Sequence, residues 1–579
     1  MPFDGLVLAA VRAELAGALT GGRIERVQQP AEHYIVLTVH RHKRHRLLIS
    51  NHPEEARVHM TAHGTVSPPR LPVFAAVLRK YLEGGRMVSI KQPGFERVIE
   101  VVVRGRDALG QEANILLIGE FMGKHSNILL VDPGSGRILD GIRRYTHAVS
   151  RHREVLPGAP YIPPPRTKRD PLELDEEGLT AELLALPLES GIARALQARL
   201  EGLSLVAARE VAHRAGLAAE TTVGECGAYD FARLWSTLRD VFAGARDGAL
   251  SPCLALDRAG EPYDFSAISL THLSDEVSLE SGGMNDILDR FYTHHRERQR
   301  LEGLRRAIMS IVARERRRVE KRLAHCRKNL ATAARFEEWR RYGDLLIANL
   351  HAVPPNAETI TLNEFETGKP VAIALDPKLS PAANAQAYFR RFQKQKATAA
   401  RAAAEEERLS AELEYLAGVE TALMQAENSA DLGDIREELV AQGYLSAPAP
   451  GKKRAPAREA APAPLTFKAP DGTTILVGKN NRQNDYVTFR VAREDDLWLH
   501  ARGIPGAHVI VRTAGRAVSP EALEAAASLA AYYSRSRQAG SVPVDVTLRR
   551  HVKKPRGARP GFVIYREERT VMARPARPS

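Results

Sequence analysis

The sequence predicts a multidomain α+β protein interrupted by a long antiparallel coiled coil, and three observations carry that expectation. From residue 284 to about 342 there is no proline and a single glycine. Leu301, Leu304, Ile308, Val312, Val319, Leu323, Cys326 and Leu330 recur there mostly at three, four or seven residues, the spacing of a narrow coiled-coil seam. A second run near 384–428 repeats the pattern with Leu409, Leu413, Leu416, Val419 and Leu423. On both flanks, short β-branched runs alternate with helical segments, as in folded α+β domains. At about 1.5 Å per residue the outgoing arm has a reach of roughly 80–90 Å, which suits a molecule that spans a large partner.

In chain order, residues 1–175 read as a mixed α/β domain. A helix over 3–19 precedes strand-like runs at 34–39, 46–49, 98–103, 114–118 and 127–131, with a further helix near 72–82. The proline-rich stretch 157–165 can be neither helix nor central strand, so the domain ends there. Residues 176–280 hold short helices, with 191–200 and 203–215 joined by Glu201-Gly202. Two helices around a Gly turn form either a helix-hairpin-helix that offers backbone N–H groups to phosphate or a purely structural hairpin; the paired glycines of the former are absent. The coiled coil covers 281–432, with a tip at 343–381 carrying strands at 358–362 and 370–375. Residues 433–464 are a linker whose Pro/Ala/Lys/Arg stretch, 446–464, is extended and semi-rigid. The last domain, 465–579, is a small α+β unit. Strands are expected at 465–468, 485–490, 497–500, 509–511, 542–548 and 562–565, with a helix over 520–537 and a basic loop at 549–559.

Composition narrows the function classes. A chain of 579 residues suits three or four domains, and no apolar run approaches the roughly 20 residues of a membrane span. The N-terminal stretch lacks a charged region followed by an apolar one, and the three cysteines form no Cys-x-x-Cys pair. The expectation is a cytoplasmic protein without disulfides, metal or cofactor. The net charge of +13 is concentrated: 284–342 holds 17 Lys or Arg against 8 Asp or Glu. Further basic clusters lie at Arg143–Arg144 with Arg151–His152–Arg153, at Arg166–Lys168–Arg169 and over 549–559. Several separated patches favour a polyanion that the protein wraps, against the plainer reading of solvated faces.

No enzyme signature is present, whether phosphate-binding loop, His-Glu-x-x-His or Gly-x-Ser-x-Gly, so no catalytic residue is assigned. Four stretches carry specificity instead. Glu96-Arg97 places a carboxylate beside a guanidinium fork, a pair that reads base edges or clamps a ribose-phosphate, or is simply an exposed strand pair. In the stretch 120–130, Glu120, Phe121, Met122 and His125 surround a Gly turn, suited to stacking on an RNA loop or to closing a hairpin. The stretches 285–292 and 342–350 read as packing devices at the base and tip of the coiled coil. Around 495–509, Trp498, His500, Arg502 and His508 form either a stacking and phosphate surface or, for Trp498, core. Arg549, Lys553 and Lys554 in the basic loop are further candidates for RNA contact.

Taken in order, 1–5, 120–130, 157–164, 285–292, 343–350, 384–389 and 496–509 resemble the NFACT family, the RqcH-type ribosome quality control proteins, of which older members were named fibronectin-binding protein A. The resemblance implies a first domain like that of Fpg-type DNA glycosylases, a helix-hairpin-helix region, a coiled coil with a middle tip and a C-terminal RNA-binding domain. It also implies binding to large ribosomal subunits obstructed by peptidyl-tRNA and recruitment of tRNA, alanyl-tRNA in bacteria. The subunit then extends the stalled chain with an untemplated alanine tail that marks it for degradation. The family's tRNA-contacting Asp-Arg pair and Glu-Ile/Leu-Met element fall on Glu96-Arg97 and Glu120-Phe121-Met122. Glu96 sets its carboxylate one methylene further out, and Phe121 adds bulk.

Two other readings follow from the same material. Pro2 and the implied fold suggest a DNA glycosylase/lyase, but that chemistry needs a Pro-Glu start, and Phe3 follows Pro2. The older family name suggests a fibronectin-binding surface adhesin, for which the sequence shows no secretion or anchoring signal.

Overall fold

Helix α1 (Gly5–Leu19) is apolar on nearly every side of its first half, which is wholly buried, with Leu6, Val7, Leu8, Val11, Leu15 and Leu19 all buried. Asp4 caps it, accepting from the Val7 amide at 2.9 Å. The computed structural model describes residues 3–64, 66, 68–107, 109–146, 153–273, 277–333, 336–446 and 464–577. Pro2, Arg151 and His152, and 447–463 of the expected linker, lie outside these. The chain divides into two units, Met1–Arg298 and Gln299–Ser579.

In the first unit α1 packs on a nine-stranded sheet. Its strands are β1 (Arg23–Ala31), β2 (Tyr34–Arg41), β3 (Lys43–Ser50), β4 (Arg57–Met60), β5 (Arg86–Lys91), β6 (Val98–Arg106), β7 (Glu112–Glu120), β8 (Asn127–Asp132) and β9 (Arg137–Gly141). They lie in the order β4-β3-β2-β1-β5-β6-β7-β8-β9, every pair antiparallel. The domain is therefore α+β, not the mixed α/β expected, and β1, β4, β5 and β9 are additions to the predicted strands. The strand period of two sorts the side chains cleanly. Ile115 and Leu117 of β7 join the core shared with α1, while Ile118 joins a second cluster with Val98, Leu129 and Val131 on the other face. Helix α2 (Val73–Leu82) buries Phe74, Leu78 and Leu82 in the main core.

Helices α3 (Glu176–Leu184), α4 (Ile192–Arg199), α5 (Leu205–Arg214) and α6 (Ala228–Asp247) follow. Where only short helices were expected, β10 (Cys253–Leu256), β11 (Pro262–Ser266) and β12 (Ser278–Ser281) form a three-stranded antiparallel sheet in the order β11-β10-β12. The run Cys253-Leu254-Ala255-Leu256 is wholly buried, which suits a central strand. The base of α7 (Met284–Ala333) is pinned by side chains. Glu14 accepts from the Met284 amide at 2.5 Å and the Asn285 amide at 3.0 Å, and Asn285 and Asp289 accept from the Met60 and Ala62 amides at 2.7 and 2.9 Å.

Helix α7 runs 50 residues, roughly 75 Å. In the second unit its Ile308, Val312, Val319, Leu323 and Cys326 meet Leu409, Leu416, Val419 and Leu423 of α9 (Pro381–Gln425). Arg316 to Glu420 at 2.6 Å, and Arg322 to Glu405 and Arg327 to Glu406 at 2.7 Å, flank the seam. The tip holds α8 (Phe336–Ala348) and a hairpin of β13 (Thr359–Asn363) and β14 (Pro370–Ala374). The linker expected from 433 does not begin there. Helix α10 (Ser429–Ala441) occupies that stretch because Leu432, Ile435 and Leu439, at helical spacing, are buried in the coiled-coil core.

The last domain has β15 (Leu465–Lys468), β16 (Thr474–Val477), β17 (Leu497–Ala501), β18 (Val509–Val511), β19 (Val542–Leu548) and, after the pair β20 (Val552–Lys553) and β21 (Ile564–Tyr565), β22 (Arg569–Ala573). The main sheet order is β15-β16-β18-β17-β19-β22. Helix α12 (Pro520–Tyr532), shorter than the expected 520–537, packs its alanines on Ile475, Leu499 and Val509, while Leu476, Trp498 and Ile510 face the other way. The strand expected at 485–490 is instead helical: α11 (Asn481–Tyr486) continues into a π turn over Val487–Val491. Asn480 caps it by accepting from the Gln483 amide at 2.9 Å, which outweighs the β-branched composition that follows.

Candidate nucleic-acid interface

Glu96 and Arg97 sit at the end of a tight turn before β6, and the turn is held rigidly. The Gln92 side-chain Nε2 donates to the Gly5 and Glu96 carbonyls at 3.0 and 2.9 Å, and the Glu96 backbone amide donates to the Pro93 carbonyl at 3.2 Å. Phe95 is buried edge-on against Phe242, ring centres 4.7 Å apart, so its neighbours point away from the core. The α4–α5 turn closes against this one through Gly202, whose φ is +83° and whose added Cβ would lie 2.8 Å from the Phe242 ring. Only glycine meets both conditions.

A cavity of about 240 Å³ opens between the two turns, lined by Asp4, Glu96, Arg97, Met122, Lys168 and Glu201, with the backbone of Gly5 and Gly202. Opposite charges alternate across a small volume. Asp4 is buried, accepting from the Ser204 amide at 2.8 Å as well as from Val7, and burial raises its carboxyl despite those bonds. Burial pulls the Arg97 guanidinium down, against Asp4 and Glu96, which hold it charged. Lys168 is likewise lowered, by burial first and then by Arg97, and its ammonium donates to the Gln197 carbonyl. Glu201 is 3% exposed with its Oε2 unpartnered; burial and the neighbouring Glu96 carboxylate push it up to about 7. The cavity thus offers a guanidinium fork, an ammonium and acceptor oxygens at once, with a carboxyl that carries a proton near neutrality. That set can hydrogen-bond a base edge or a ribose-phosphate from several sides.

Of the predicted site residues, Glu96, Arg97 and Met122 come together here. Glu120 and Phe121 do not reach the surface, which corrects the expectation that both touch RNA. Glu120 is fully buried and pairs with Arg153, Nη1 to Oε1 at 2.7 Å, and accepts from the Tyr161 hydroxyl at 3.1 Å. Phe121 packs edge-on against Phe3 at 5.5 Å. Both therefore fix the strand end that presents Met122. His125 is exposed in the short turn Gly123–His125 and does not line the cavity.

In the C-terminal domain Arg502 is exposed, donating to Thr570 at 2.9 Å, and Lys553 is exposed. Lys554 is exposed but engaged by Asp485. Arg549 donates to the Thr488 carbonyl at 2.9 Å and lies 5.2 Å from the Phe489 ring, so it is partly committed to packing. His508 is buried, with Nδ1 2.9 Å from the Thr488 hydroxyl, and is no surface contact for RNA. Trp498 is core. Sequence reasoning missed Asp4 and Glu201 as site residues. The one available signal was Glu201 beside a turn glycine, which only the spatial closeness of the 92–97 turn makes meaningful.

A family model described as NFACT N-terminal and middle domains matches residues 4–458, and one for the NFACT protein RNA binding domain matches 464–565. Rqc2 homolog RqcH of Bacillus subtilis is 35% identical, covering 99% of this chain and 98% of its own length. The protein of the same name from Streptococcus pneumoniae serotype 2 is 34% identical, again over 99% and 98%. Among solved structures, the N-terminal part of the fibronectin/fibrinogen-binding protein from Streptococcus suis is 30% identical, covers 50% of this chain and 99% of its own, and superposes with a TM-score of 0.42.

Proposed function

The chain belongs to the NFACT family, and from that premise we propose that it is a cytoplasmic, ribosome-associated quality control factor. It binds large ribosomal subunits stalled with peptidyl-tRNA and recruits alanyl-tRNA for untemplated C-terminal alanine tailing, which marks the nascent chain for degradation. Bond formation belongs to the subunit. This chain supplies positioning, needs no cofactor and is not itself an enzyme.

The observation that carries the reading is the cavity in which Glu96, Arg97 and Met122 converge. A recess that sets charged groups among apolar side chains such as Met122 suits the edge and face of a nucleotide better than a purely hydrophobic ligand. The 35% identity over nearly the whole length of RqcH supports carrying the role across. The match of residues 464–565 to an RNA binding domain supports a second contact with RNA. Exposed arginines such as Arg298, Arg300 and Arg317 on α7 would neutralise rRNA phosphates.

The test is the double substitution Glu96→Ala with Arg97→Ala. The variant is expected to sediment with large subunits as the parent does while alanine tailing in a reconstituted reaction disappears. Tailing that persists in this variant would show that the cavity does not select the tRNA.

A further inference from the structure

A second cavity, of about 250 Å³, lies in the other unit between α9 and the C-terminal sheet, and no cationic side chain lines it. Its walls are aromatic and fixed. The Tyr565 hydroxyl donates to Asp545 at 2.8 Å and its ring lies 4.8 Å from Trp498, on which His500 stacks at 5.6 Å. Asn484 ties the floor together, accepting from the His508 amide at 2.9 Å and donating to the Gly506 carbonyl at 3.2 Å. Gly561, with φ +81°, lets the opposite wall close in: a Cβ there would lie 2.7 Å from the Asn481 Oδ1. Burial drives His500 down to about 4 and His508 well below its ordinary value, so both imidazoles are neutral at pH 7.

The single carboxylate in the lining is Glu414, on α9. It is solvent-exposed, has no hydrogen bond or ion pair among the described residues, and partial desolvation raises its carboxyl. A carboxylate with no protein donor, lining an aromatic recess, accepts from the N–H₂ group of a flat ligand in exchange for water. The volume lies below the roughly 300–1,000 Å³ of ordinary small-molecule sites, so one planar base fits and a nucleotide chain does not. Phosphates have their own place. Lys553 and Arg556 are exposed on the loop that runs directly into the cavity wall at Pro560–Val563.

We propose that this cavity takes one unstacked nucleobase carrying an exocyclic amine from a single-stranded RNA segment, with Glu414 accepting from the amine and the Phe562 and Tyr565 rings stacking on the base. The RNA backbone then follows the basic loop. The proposal rests on the RNA-binding reading above and names what that RNA presents.

The experiment is fluorescence anisotropy of the full chain with three short labelled oligouridines: all uridine, one central adenosine, and one central purine riboside, which lacks only the amine. The adenosine probe is expected to bind roughly tenfold tighter than the other two, and Glu414→Ala, which removes the acceptor, to bring it down to their level. Equal binding of adenosine and purine riboside would overturn the base pocket while leaving RNA binding intact, as would a preference that survives Glu414→Ala. Failure of all three probes to bind at low salt would overturn the RNA reading itself, and the pocket with it.

Discussion

Glu201 stands beside Glu96 with one carboxylate oxygen buried and unpartnered, so its charge is readily adjusted in the cavity that Glu96 and Arg97 line. Its folded pKa lies above the ordinary carboxyl value, at about 7. The stability it contributes is therefore present in acid and lost as pH rises through 7. Protonation also removes a negative charge facing Arg166 and Lys168, so affinity for tRNA should rise as pH falls through about 7, by at most about tenfold per pH unit for one linked proton. Filter binding between pH 6 and pH 8 checks this, with Glu201→Gln giving a flat profile. Glu210 behaves oppositely. Burial alone would raise it, but hydrogen bonds from His272, Arg214 and Thr271 hold it down to about 2. It stabilises fully above the unfolded value near 4.5, and that contribution, about 3 kcal/mol, is lost as pH falls toward 2. Acid titration of the unfolding midpoint should show a step that Glu210→Gln removes. Glu120→Ala leaves the Arg153 guanidinium buried and unpaired, so it should cost about 3–5 kcal/mol in denaturant unfolding. The motif that carries Glu120 and Phe121 was legible in sequence, but their burial was not. Nothing in Glu-Phe-Met distinguishes a residue that touches RNA from one that props up its neighbour until Arg153, Tyr161 and Phe3 are seen around it.

At the scale of elements, legibility followed periodicity. The coiled-coil seam announces itself because its apolar spacing is long and repeated, and the tip strands because β-branched and apolar residues alternate in them. Strand β1 does not: Arg23-Ile24-Glu25-Arg26-Val27-Gln28-Gln29-Pro30-Ala31 buries residues without regular alternation and is bulged against β2. Helix α10 escaped because its apolar face is short and follows directly on α9. The segment 485–490 read as a strand on β-branched content, but the Asn480 cap and the burial of Gln483 and Asn484 decided for helix. Asn480→Ala should therefore cost about 1 kcal/mol in equilibrium unfolding. Leu416, fully buried in the seam, should cost about 2–5 kcal/mol when cut to alanine. Both are measurable by circular dichroism in denaturant.

Over the whole molecule, charge rather than shape was the quantity the sequence exposed. A net charge of +13 with arginines concentrated on one helix specifies a polyanionic partner without saying which one. Family membership narrows that partner to RNA. Phosphate contacts at separated places require that binding weaken steeply as salt rises, because each contact releases condensed counterions. The most direct test is sedimentation of the full chain at low salt with free large subunits bearing peptidyl-tRNA, with whole ribosomes and with bulk tRNA, followed by sequencing of the tRNA in each pellet. The chain should travel with the free large subunits, carry alanine tRNA with it, and lose that tRNA but not the subunit when Glu96 and Arg97 are replaced. A chain that stays in the supernatant, or pellets with subunits while bringing no tRNA, would contradict the account.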